Sequence, residues 1–463
     1  MTTNISALTP SNHKIPQTKG HFLIGNLPEF RNDPIAFLDR SWREFGDLYQ
    51  FYAGPRSFTV VSSPELARQV LIDQKHTFHR GRNFNGGTPL TMILGLSLLT
   101  TDGESWLSKR RTMQPIFHRQ RIQKMGDVMM DAGLRMMDRW QSSSDKEITL
   151  NEEMKLVTLD IINRTMFSTD IMGEVDNVGS VVDIGLHYIT RRLSSLLPAP
   201  MSWPTPANLR FKKAKAILDD YLYRIIRERR AIVAAGGEAK GDLLDMLMEA
   251  RDEETGETMN DEQVRNEVAT IYGAGHETTA LALTWTWYAL WQNPEVLRKL
   301  QHEVDVVLQG QTPTMADLPR LPYTLQVFEE SMRLYPPVPF TVRMPEEVVE
   351  LDGHPLAKGE FTLINIHNLH RHPSYWDRPE EFWPERFAPE NKQANQRAAY
   401  MPFLTGPHMC IGNNFALMEG QLLLAMMAQK YEMELIPGQR IEKEATVTMR
   451  PKYGMKMRLV ARQ

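Results

Sequence analysis

Residues 260–293 carry one unbroken helical pattern closed by Pro294, and no other stretch limits the possible folds so strongly. Asn260 is placed as an N-cap with Gln263 three residues on, and the span predicts a helix of roughly 50 Å. Its middle reads Ala274-Gly275-His276-Glu277-Thr278-Thr279, set among Ile271, Tyr272, Ala280, Leu281, Ala282 and Leu283. A glycine followed by hydroxyl side chains that bond back to the i−4 carbonyl weakens the backbone ladder, so a kink or bulge is expected here. Taken alone, the ordinary reading is an exposed Glu277 and a Thr278 that caps the kink. An acid and an alcohol buried in an apolar helix are costly unless they have a task.

The length of 463 residues would suit about two to four ordinary domains, yet no repeat, charge block or Gly/Ser linker divides the chain. The expected class is mainly α with a small β-rich portion. Strand-like segments lie at 48–61, through Tyr49, Phe51, Phe58, Val60 and Val61, and at 361–366; a late β region includes 433–435 and 455–460. A net charge of −4 gives no nucleic-acid footprint. Charge is uneven, however: Lys109, Arg110, Arg111, Arg119, Arg121 and Lys124 make a basic stretch. The first 19 residues are polar, without the basic-then-apolar order of a signal peptide or the ~20-residue apolar run of a membrane anchor. Residues 90–99 are too few to span, and His276 and Glu277 interrupt the apolar part of the long helix. A soluble cytoplasmic protein, without a membrane anchor, is expected.

Cys410 is the single cysteine, in Phe403-Leu404-Thr405-Gly406-Pro407-His408-Met409-Cys410-Ile411-Gly412. A lone thiol excludes an intrachain disulfide and a zinc site with several cysteine ligands. An inert buried thiol, a nucleophile and a single thiolate ligand to a metal cofactor remain. A helical pattern follows through Phe415, Leu422, Leu423 and Met426, so Cys410 lies at a helix mouth, where a lowered pKa and a thiolate are expected. His408 stands two residues away and raises a hydrolase reading, but a nucleophile–base pair is defined by geometry in space, and nothing nearby suggests an oxyanion hole or a group to orient the histidine.

The loop resembles the haem-binding signature of the cytochrome P-450 family, with Phe403, Gly406, Cys410 and Gly412 matching. His408 stands where that family usually has an arginine that pairs with a haem propionate. Four further segments resemble the family in its order. Glu330-Ser331-Met332-Arg333 looks like its Glu-x-x-Arg helix, and Pro384-Glu385-Arg386-Phe387 looks like the segment whose arginine, Arg386, joins a charge network with Glu330 and Arg333. The acid–alcohol pair of the long helix corresponds to Glu277 and Thr278. Trp106 and Arg110 match a Trp-x-x-x-Arg helix, and Arg343 falls where a further propionate-binding arginine often stands. His370-Arg371-His372-Pro373-Ser374-Tyr375-Trp376 also fits, with His372 in a place often taken by aspartate.

The resemblance implies a haem lying between the long central helix and the helix after the cysteine loop, in one haem domain over residues 1–463 with no fused reductase. Cys410 would be the axial ligand of the haem iron. Trp106, Arg110, Arg343 and His408 would meet the propionates, with Phe403 and Gly412 shaping the loop. Thr278 would hydrogen-bond dioxygen, Glu277 would support the proton supply, and Ala274 and Gly275 would leave room for oxygen. The implied cofactor is haem b (iron protoporphyrin IX), with O2 as co-substrate and NAD(P)H acting indirectly.

The implied activity is hydroxylation of an apolar molecule, fatty acid or terpenoid-like. The alternatives are a peroxygenase or peroxide-rearranging relative and a non-catalytic haem-binding sensor. A ferredoxin or flavodoxin-type donor with its reductase would supply electrons and dock on the basic stretch. A monomer is expected. Pocket walls are expected from 82–99, 187–209, 271–279 and 338–341, with Met92, Ile93, Leu94, Leu196, Leu197, Met201, Trp203 and Phe340 making them apolar.

Overall fold

The computed structural model describes residues 14–80, 90–143, 146–169, 175–193, 195, 198–251, 256, 258–391 and 393–462. Residues 1–13 of the polar N-terminus, residues 82–89 of the expected pocket wall, and Leu196 and Leu197 lie outside them. Asn260 does open the long helix. Its side chain accepts the Gln263 N–H at 2.9 Å, and the Gln263 side chain accepts the Asn260 N–H at 2.9 Å. The central helix then runs from Asp261–Gln292 without the expected bulge: Thr278 Oγ1 donates to the Ala274 carbonyl at 2.8 Å beside an intact α-helical ladder. Apolar residues surround it on every side, as a fully buried helix requires; Val264, Tyr272, Leu283, Trp285 and Leu290 are all buried.

The helix Leu150–Met166 packs along the central helix, and the helices Pro322–Leu334 and Asn413–Lys430 pack on it as well. Among the described residues no helix is long and apolar enough to cross a membrane. The β structure is peripheral. Leu48–Ala53 and Arg56–Val61 form an antiparallel hairpin, with Phe51 opposite Phe58 and the two rings stacked 4.8 Å apart. The second strand pairs in parallel with Phe361–Ile364, which pairs antiparallel with Thr341–Pro345. The expected strand at 361–366 stops early, because Asn365 caps the short helix Ile366–Leu369 through the Asn368 N–H. The late β region is present as Tyr431–Leu435 against Lys456–Ala461.

A buried ionic cluster ties these parts together. Arg333 donates to both oxygens of Glu330 at 2.8 Å, and Arg386 Nε donates to Oε1 at 3.0 Å; all three side chains are fully buried. Remaining donors are spent on backbone carbonyls: Arg333 on His370 (2.7 Å), Pro379 (2.6 Å) and Glu381 (2.9 Å), and Arg386 on Asp377 (2.7 Å) and Arg378 (3.0 Å). Such saturation is what makes buried charge tolerable. His370 extends the cluster. Its Nδ1 lies 3.1 Å from the Arg333 carbonyl, and its Nε2 accepts the Met401 N–H at 3.0 Å, so Nδ1 carries the proton.

Two outcomes follow from this cluster. Glu330→Gln leaves two guanidiniums without their carboxylate and should lower unfolding free energy by about 3–5 kcal/mol in urea titrations. Burial, then the Arg333 and Arg371 charges, lowers the His370 pKa from 6.5 to about 3. Between those values the unfolded chain binds a proton that the folded chain does not, so stability falls as pH falls through that window. From pH 7 to pH 5 the native protein should lose about 2 kcal/mol more than His370→Gln does; equal losses would contradict it.

Candidate active site

The cysteine loop is set by its backbone. Leu404 and Gly406 both adopt positive φ, 59° and 76°. At Gly406 a Cβ would come within 2.5 Å of the Leu71 carbonyl oxygen, so only glycine fits. Cys410 N–H donates to the Phe403 carbonyl at 2.9 Å and Met409 N–H to the Gly406 carbonyl at 3.1 Å, closing the loop before the helix Asn413–Lys430. The sulfur faces a cavity of about 1300 Å³ that Phe403, Ile411 and Gly412 also line. Protein surrounds the thiol on its other sides, and this desolvation raises its pKa. The Gly412 N–H and the Arg110 charge pull the other way without prevailing. The expected lowering at the helix mouth is therefore corrected: burial outweighs the helix end.

The opposite wall is the central helix. Ala274, Gly275 and Thr278 all line the cavity, and a Cβ added at Gly275 would meet Ile162 at 2.8 Å. Glu277 is buried rather than exposed, and its Oε1 accepts the Thr448 hydroxyl at 2.9 Å. His276 faces away from the cavity: its side chain bonds the Tyr272 carbonyl, and its carbonyl accepts the Thr158 hydroxyl at 3.0 Å. Thr279 is buried, its hydroxyl directed to the Gly275 carbonyl at 3.4 Å.

Positive charge collects at one edge of the cavity. Arg80, Trp106, Arg110 and His408 line it; Arg343, 3 % exposed, stands behind them and outside the lining. Arg110 Nη1 donates to the Met409 carbonyl at 2.9 Å, and the Trp106 and His408 rings lie 4.2 Å apart. Asp102 is the carboxylate of this cluster, bonded to Arg80 Nε at 3.2 Å and 3.6 Å from His408 Nε2. One carboxylate against three guanidiniums leaves an excess. Burial and the Arg80 charge lower Arg343 to about 9, while burial with Arg80 and Arg343 lowers His408 to about 3, so this imidazole is neutral. His408 Nδ1 is buried with no protein partner. A cationic edge, apolar walls and a facing sulfur fit a flat, largely apolar group carrying carboxylates, with a metal that takes thiolate. Haem meets that description.

Most of the remaining lining is apolar, through Met92, Ile93, Leu94, Leu98, Val338 and Phe340, with Arg31, Arg56 and Arg192 also on the wall. Met201 and Trp203, expected on its wall, are not there. Met201 Sδ accepts the Tyr188 hydroxyl, and Asn208 holds the Pro200 and Trp203 carbonyls at 2.8 Å, turning Trp203 to solvent. Four residues of the site were not anticipated. Arg80 supplies the third guanidinium and bonds the Leu98 carbonyl at 3.2 Å. Glu267, pushed up to about 7 by burial, accepts the Leu98 N–H at 2.9 Å and fixes the same turn to the central helix. Glu419 is buried beside Thr279, and burial raises its pKa. Thr448 is the fourth. None has a local spacing signal; each meets its partner only across the fold.

The sequence model described as Cytochrome P450 matches residues 15–457. Cyclooctatin synthase of Streptomyces melanosporofaciens is 36% identical over 427 residues, covering 90% of this chain and 90% of that protein. Cyclooctat-9-en-7-ol 5-monooxygenase of the same organism is 33% identical over 417 residues, covering 90% and 88%. Pentalenene oxygenase of Streptomyces avermitilis is 30% identical over 442 residues, covering 95% and 96%. The chain belongs to the cytochrome P450 family and is an oxidoreductase of the monooxygenase type, with the haem and O2 chemistry that this implies.

Proposed function

We propose that this chain hydroxylates a terpenoid-like hydrocarbon skeleton, using O2 and two electrons from a separate ferredoxin-type donor. The carrying observation is the large apolar cavity between Cys410 and the Ala274–Thr278 face of the central helix. The names of the relatives that act on cyclooctat-9-en-7-ol and pentalenene support the terpenoid reading over a fatty acid. The overall reaction takes a C–H bond, O2, two electrons and two protons to an alcohol and water.

Haem b, when bound, supplies the one-electron and oxygen chemistry that side chains lack. Cys410 is assigned as its thiolate ligand. Arg110 and Trp106 are assigned to its carboxylates, with Arg80 added, Arg343 acting on them through its charge from behind the lining, and His408 as a hydrogen-bonding group. Phe403 and Gly412 shape the loop against it. Ala274 and Thr278 lie where oxygen and substrate meet, and the closely packed Gly275 lets the helix sit near Ile162. Thr278 and Glu277 are the groups assigned to hold and pass protons. Apolar walls orient the substrate and keep bulk water out.

Electrons would enter on the basic side. Arg111, Arg119, Arg121 and Lys124 are exposed there, whereas Arg110 turns inward to the Met409 carbonyl. An acidic donor is favoured, chiefly through a faster encounter.

Cys410→Ala should abolish the reduced carbon monoxide spectrum of a thiolate-bound haem; an unchanged spectrum would end the assignment. In Thr278→Ala, product per electron consumed should fall by about tenfold, the scale of one lost hydrogen bond. Titrating the ferric protein with cyclic terpene hydrocarbons should shift its spin state at micromolar concentrations. A shift with long-chain fatty acids and none with terpenes would reverse the substrate assignment.

A further inference from the structure

Thr448 lies in the turn between two short strands, Lys443–Ala445 and Met449–Pro451. The hairpin is pinned from two sides: Met449 N–H donates to the Pro337 carbonyl at 2.8 Å, and the Trp285 indole N–H donates to the Met449 carbonyl at 2.9 Å. Thr446 N–H closes the turn on the Thr448 carbonyl at 2.9 Å. Thr448 is only 4 % exposed, yet Thr446, Val447 and Thr448 line the same cavity as Glu277 and Thr278. Its hydroxyl donates to Glu277 Oε1 at 2.9 Å across 171 residues of chain. A hydroxyl donating to a carboxyl group makes a stronger bond when the acceptor is ionised than when it is neutral.

We propose that Thr448 is a positioning residue for the Glu277 carboxyl, and that the turn carrying it couples the shape of the bound substrate to proton delivery. The hydroxyl fixes the orientation of the acid. Thr446 and Val447, beside it, form part of the substrate wall. A substrate that fits this wall leaves the hydrogen bond in place; one that presses the turn away loosens the acid and diverts electrons from product. The inference rests on the reading of Glu277 as a proton-passing group.

The test uses the haem-loaded protein and four variants: Thr448→Val, which keeps the shape and removes the donor, Thr448→Ser, Glu277→Gln, and the double Thr448→Val/Glu277→Gln. Infrared difference spectra give a readout independent of turnover, since the Glu277 carboxyl band is identified by its loss in Glu277→Gln. Thr448→Val should shift that band and lower product per electron by roughly three- to tenfold, the scale of one hydrogen bond. Thr448→Ser should restore both, and the double variant should couple no worse than Glu277→Gln alone.

An unshifted band with native coupling in Thr448→Val, while Glu277→Gln uncouples, overturns the role of Thr448 and leaves the proton reading standing. Native coupling in Glu277→Gln overturns both. A Thr448→Val effect that adds to that of Glu277→Gln, or that appears only as weaker substrate binding, shows a wall residue acting without the acid and overturns the proposal.

Discussion

The carboxylate of Glu330, held between the guanidiniums of Arg333 and Arg386, is the interaction on which the site depends most. Its importance lies in what it reaches. Arg333 offers its carbonyl to His370, and the other ring nitrogen of that histidine takes the Met401 N–H, at the start of the cysteine loop. The sulfur is thus held through a chain of buried polar contacts. Each needs the others, because an unsatisfied charge or amide at zero exposure is far more costly than a satisfied one.

Electrostatics divide the cavity into two unlike ends. At one, three guanidiniums and a neutral His408 face a lone Asp102, an arrangement that calls for further carboxylates. At the other, the polar groups are few and tethered: Thr278 to its own helix, and Glu277 to Thr448. The surface between them is largely apolar. His408 offers an unpartnered ring nitrogen at this edge, and Arg80 adds a guanidinium from a distant segment. Arg343 contributes from behind the lining through its field.

Much of the fold was legible beforehand. The Asn260–Gln263 capping box, the strand character around Phe51 and Phe58, the late β region and the Glu330–Arg333–Arg386 network all follow from local pattern or from motifs kept in order. The misreadings share a cause. The Cys410 thiol was expected to be acidified by its helix mouth, but burial dominates. The hydroxyls after Gly275 were expected to kink or bulge the helix, but the α-helix is continuous there and Thr278 adds a bond to the Ala274 carbonyl. Met201 and Trp203 were expected on the pocket wall, but Tyr188 and Asn208 draw that segment outward. In each case the surroundings of the side chain decided against what the local pattern suggested.

The chain alone determined which residues have chemistry to offer: one thiol, one acid–alcohol pair in an apolar helix, and arginines at recognisable spacings. Those are properties of neighbours along the backbone, and periodicity and motif order report them. Only the tertiary structure decided the partners of those groups. Arg80 joins Asp102, Glu267 holds Leu98, and Thr448 meets Glu277 because helices and hairpins far apart in the chain pack into one interior. Burial and charge in that interior depend on the whole arrangement, and no stretch of sequence contains them.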